Sequence, residues 1–77
     1  MIRLSDNWVN FLTKQPETGM GYHIVSLRLK DGRHFNQVIV DSGSIVRIKG
    51  LKEIPFIHGD IVEIIVTHDK WDFSKER

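Results

Sequence analysis

Residues 22–40 read YHIVSLRLKDGRHFNQVIV, two apolar, β-branched runs joined by Lys30-Asp31-Gly32. β-Branched and aromatic side chains suit a pleated strand, and a glycine after Asp31 accepts the left-handed backbone that a tight hairpin turn demands. The stretch therefore predicts a β-hairpin. With a three-residue loop at Lys30 to Gly32, Leu29 pairs with Arg33, Leu27 faces Phe35, Val25 faces Gln37 and His23 faces Ile39 on one side. Arg28 then meets His34 and Ser26 meets Asn36 on the other. The first face collects Leu29, Leu27, Val25, Phe35 and Ile39 as a core surface. The second is polar near the turn and apolar at its far end, through Tyr22, Ile24, Val38 and Val40, so the base of the hairpin needs burial on both sides. A sheet that curls, or one covered by a helix on one side and a subunit on the other, meets that need.

The rest of the chain fits around this hairpin as a single domain, residues 1–77. Ser5 reads as a helix N-cap with Leu4 stapled onto Val9, and Trp8, Val9, Phe11 and Leu12 form a stripe at helical spacing. The predicted helix covers about residues 5–15 and stops before Pro16, which disfavours helical geometry in the residue ahead of it. Gly19 and Gly21 flank Met20 in a loop, with neither the preceding strand nor the Gly-Lys-Ser/Thr of a phosphate loop. Strands are expected over about 22–30, 33–40, 44–49 and 60–67, with Asp41-Ser42-Gly43 as the second turn. Residues 61–67, IVEIIVT, are nearly all apolar, as in a strand buried on both faces. Residues 68–77 form a charged tail carrying Trp71 and Phe73. The fold class is α+β, mainly β: a short helix followed by a four-stranded antiparallel meander, as a curled sheet or a small barrel.

The helix, hairpin, third strand and last strand, with Asp31-Gly32-Arg33 at the first turn, resemble the small barrels of the SH3 and Sm-like type over about forty residues. Sm-like proteins typically place a glycine shortly after that turn, and an Asp with an Asn in the loop before the third strand. Here Asn36 and Gln37 follow the turn and Asp41-Ser42-Gly43 has no Asn, so the RNA-binding loop is not matched. The likeness is one of architecture.

Composition narrows the function classes. There is no cysteine, which excludes a disulfide framework, a thiolate nucleophile and Cys-based zinc sites. The first residues, MIRLSDNW, lack the apolar core of a signal peptide and no apolar run is long enough to span a bilayer, so no membrane association and a cytoplasmic location are expected. No serine stands in a nucleophile elbow, and Asp60 and Glu63 are the residues an acid or base role would fall on. The expectation is a non-enzyme, with no catalytic residues. His23, His34, His58 and His68 match no metal-ligand spacing, and no metal or other cofactor is expected.

A net charge of +1 is unevenly spread. Residues 28–52 carry six cations against two carboxylates, a net of +4, whereas residues 53–77 carry three against six, a net of −3. Opposite segments of this kind suit self-association, and a basic strip suits a polyanion. A domain this small buries only about 60% of the surface its unfolded chain exposes, which also favours oligomerisation. The leading expectation is an interaction module that self-associates as a homo-oligomer and binds a protein partner. RNA or single-stranded nucleic acid is the alternative. The candidate binding surface comprises Tyr22, Arg28, Arg33, His34, Arg47 and Lys49.

Overall fold

In the computed structural model, which describes residues 1–70, the chain runs β1 (Ile2–Arg3), α1 (Asp6–Thr13), β2 (Tyr22–Leu29), β3 (His34–Asp41), β4 (Ser44–Ile48), a 3-10 turn (His58–Asp60) and β5 (Ile61–Val66). All pairings are antiparallel, in the order β1-β4-β3-β2-β5, and the sheet curls into a half-barrel. The sheet has five strands where the sequence pattern implied four. The addition is β1, too short to leave a periodic signal, which pairs Ile2 with Ile45 and Arg3 with Ser44. The expectations for Trp71 and Phe73 lie outside the described residues. No helix among the described residues is long and apolar enough to cross a membrane.

The hairpin turn is the one its residues dictate. Gly32 takes φ +94, Leu29 N–H donates to Arg33 O at 2.8 Å, and Gly32 N–H returns to Leu29 O at 3.0 Å. Arg28 opposite His34 and Leu27 opposite Phe35 follow the expected register. Beyond Phe35 it shifts by one residue, so that Val25 pairs with Val38, Ile24 with Ile39 and His23 with Val40. The extra residue sits at Asn36-Gln37, where Gln37 adopts φ +53. Because side chains alternate, this bulge exchanges the faces of everything after it. Val38 and Val40 enter the main core, and Ile39 moves to the outer face beside Ile24, contrary to the unbulged reading.

The magnitudes favour the bulge. A left-handed non-glycine residue costs about 1–2 kcal/mol, while burying one valine is worth roughly 1.5–3 kcal/mol, and the inner face gains two. Gln37 is also held in place: its carbonyl accepts Lys49 N–H at 3.1 Å and its Nε2 donates to Asp69 O at 3.1 Å. The need for burial on both sides of the hairpin base is met, with Ile24 at 0% and Ile39 at 5% exposure on the face away from the main core.

The concave side holds that core. Val25, Leu27, Leu29, Val38, Val40, Ile45, Ile48, Ile61 and Ile64 meet Leu4 and Leu12 from the N-terminal segment and Phe56 from the long β4–β5 connection. The Phe35 and Phe56 rings lie 5.3 Å apart. Helix α1 is shorter than expected, with Ser5 at the N-cap but no side-chain capping bond; Val9 N–H still closes onto Ser5 O. Leu4 and Val9 both pack into the core as the staple requires.

Candidate functional site

The six residues singled out by charge and pattern do not form one patch. Arg28 and His34 are cross-strand neighbours near the hairpin tip. Arg47 lies opposite Ile39, on the same outer face but across β3 and toward the other end of the hairpin. With strands about 4.8 Å apart and about 3.4 Å of rise per residue, Arg28 and Arg47 are separated by roughly 15 Å. Tyr22 begins β2 opposite Asp41, with its ring so close to Gly19 that a Cβ there would run into it. Lys49 follows β4, where its backbone N–H is spent on Gln37 O.

Several of the cations already face carboxylates. Arg28 Nε lies 3.4 Å from Glu63 Oε1, Lys30 Nζ 3.6 Å from Asp60 Oδ1 and Arg33 Nε 2.8 Å from Asp31 Oδ2. Arg33 is further turned aside by an Nη1 bond to Pro55 O at 3.1 Å. Asp31 accepts the Arg33 backbone N–H at 3.0 Å, and this bond, reinforced by the Arg33 guanidinium, holds its carboxyl below the ordinary value of 3.8. These pairs are half exposed and individually weak. Their consequence is local: each carboxylate neutralises a cation that a phosphate would have to recruit.

Asp60 and Glu63, the two candidate acid or base groups, are thus engaged with Lys30 and Arg28. Asp60 Oδ2 additionally accepts Ile57 N–H at 3.2 Å, fixing the 3-10 turn that feeds β5. Among the described residues no three His, Asp or Glu side chains gather as metal ligands. His23 Nε2 lies 3.1 Å from Gln15 O, and His68 Nδ1 lies 2.6 Å from Thr18 Oγ1, which itself accepts Ile24 N–H at 2.8 Å. Both rings bind the segment around Pro16–Tyr22 to its surroundings. Two grooves open to solvent complete the surface: one of about 830 Å³ beside Met1, Arg47, Lys52 and Ile54, and one of about 660 Å³ between Leu12, His23 and Val40.

The feature that the sequence pattern misplaces is β5. Its apolar run reads as a doubly buried strand, but β5 is the edge of the sheet, paired with β2 alone among the described residues. Val62 is 45% exposed and Ile65 51%. Thr67 N–H donates to Ile24 O at 3.1 Å, so by alternation Ile65 and Glu63 also turn their backbone groups toward β2, leaving those of Ile64 and Val66 facing outward. Nothing in the periodicity marks an edge, since an apolar run is the same whether one neighbour or two lie beside it. Comparison with family models, with curated proteins and with solved structures finds no match to this chain.

Proposed function

We propose that this chain is a non-enzymatic interaction module that works by strand addition at the β5 edge. The observation that supports this reading is a six-residue apolar strand, IVEIIV, at the rim of the sheet, with outward backbone donors and acceptors at Ile64 and Val66. An extended partner segment satisfies those groups and at the same time covers Val62 and Ile65. Backbone hydrogen bonds would supply affinity and the alternating side chains specificity. The nucleic-acid reading has less behind it, because Arg28, Lys30 and Arg33 each face a carboxylate and Arg47 stands apart from Arg28.

An unbiased peptide selection tests this. Random peptides displayed on phage are selected on the full chain, and amide hydrogen exchange is then recorded with and without the best synthetic peptide. The expected peptides are apolar, extended and β-branched, and they slow exchange at Ile64 and Val66 selectively. Peptides that bind without protecting those two amides overturn the assignment.

A further inference from the structure

We infer that the strand this edge takes is β5 of a second copy of the same chain, added antiparallel about a two-fold axis at Ile64 so that two half-barrels share one continuous sheet. The inference rests on the strand-addition reading above and adds the identity and register of the partner.

Three observations select it. A two-fold axis through the edge pairs residues whose numbers have a constant sum, and inner-face residues must meet inner-face residues if the sheet is to continue. Ile64 sits opposite Leu27 on the core side, while Glu63 and Ile65 sit opposite Arg28 and Ser26 on the outer side. Centring on Ile64 obeys this parity and gives the longest overlap within the strand. It sets Ile64 against its own counterpart, Val62 against Val66 of the second copy, and Glu63 against Ile65 of the second copy. Centring on Glu63 would instead force two carboxylates together.

The backbone agrees with that choice. Ile64 and Val66 are the residues whose N–H and C=O groups face outward, so Ile64 can exchange two hydrogen bonds with its counterpart as a closely spaced antiparallel pair. Charge is complementary along the same axis. The start of one β5, at Asp60, comes opposite His68 of the second copy, and the arrangement repeats at the other end by symmetry.

A five-residue overlap is only about 17 Å long, and the interface falls below the roughly 1,200 Å² of a stable complex. A reversible dimer follows, with Kd on the order of 10–100 μM.

Sedimentation velocity of the full chain from about 5 μM to about 1 mM reads this equilibrium directly. Two substitutions at the half-exposed Ile65 then separate the register from general stickiness. Ile65→Glu places a carboxylate opposite Glu63 of the second copy, twice by symmetry, and should weaken the dimer by about tenfold or more. Ile65→Lys places a cation there and should leave the dimer intact or tighter. Equal loss in both variants, or a tighter dimer with Ile65→Glu, overturns the Ile64-centred pairing. A chain that stays monomeric at about 1 mM overturns the self-pairing; if selected peptides still protect Ile64 and Val66, the strand-addition reading stands without it, and if they do not, both fall. Amide dispersion in NMR spectra confirms that each variant is folded before its mass is read.

Discussion

At one rim of the sheet the chain lays its first residues against β4, pairing Ile2–Arg3 with Ser44–Ile45, and then ties Leu4 N–H to Gly43 O at 2.9 Å. At the other rim β5 ends the sheet with six residues, two of them exposed aliphatics, and no strand beyond it among the described residues. The two edges consist of similar material. What differs is the local chain: β1 is followed at once by α1, whose Leu12, Val9 and Trp8 anchor into the same core, so the short strand is held by the helix that follows it. A two-residue strand could not hold itself, given that hairpins much longer than this are marginal in water. Covered edges resist association and open ones invite it, and this molecule has one of each.

The largest test of that contrast is to uncover the closed edge. Leu4 is buried and joins β1 to α1, so Leu4→Ala should cost about 2–5 kcal/mol in urea unfolding. It should also raise aggregation, because the freed β4 edge would then resemble β5. If stability falls while solubility is unchanged, β1 is merely packing and not an edge guard. Gly43→Ala attacks the same support less severely. Gly43 takes φ +81, and an added Cβ would stand 3.1 Å from Val9 Cγ2 and 3.2 Å from Arg3 Nη1. About 1–3 kcal/mol of strain should appear as a lower unfolding midpoint, with the β5 amides unaffected in hydrogen exchange. The smallest effect belongs to the open edge. Arg28→Ala removes the exposed pair that joins β2 to Glu63 on β5, and the change should be below about 1 kcal/mol and shrink further in salt. A larger, salt-independent loss would show that β5 depends on this pair to stay docked.

Much of the architecture is legible in the sequence because its causes are local. Asp31-Gly32 makes the first turn through its own backbone preferences, and Ser5 and Pro16 bracket α1. Residues 22–29 declare a strand without strict alternation, through Ile24, Val25, Leu27 and Leu29 beside the turn. The candidate surface is less legible. Arg28 and His34 are joined by a register that the turn dictates, so local reasoning places them side by side. Arg33 is drawn away by Asp31 and Pro55 O, and Arg47 is set apart by two strand spacings, neither of which one-dimensional charge counting registers.

By itself, the sequence determined a mainly β chain with one short helix, a hairpin at residues 22–40 and the first pairs above its turn, because those depend on neighbours a few residues apart. Tertiary structure alone decided the bulge at Gln37, the annexation of Ile2–Arg3 as a strand and the placement of β5 at the rim. Each is settled by competition among distant segments for the same core or the same backbone groups. The left-handed Gln37 is tolerated because Val38 and Val40 gain burial in the core that Leu4, Leu12 and Phe56 complete, residues that lie far from it along the chain.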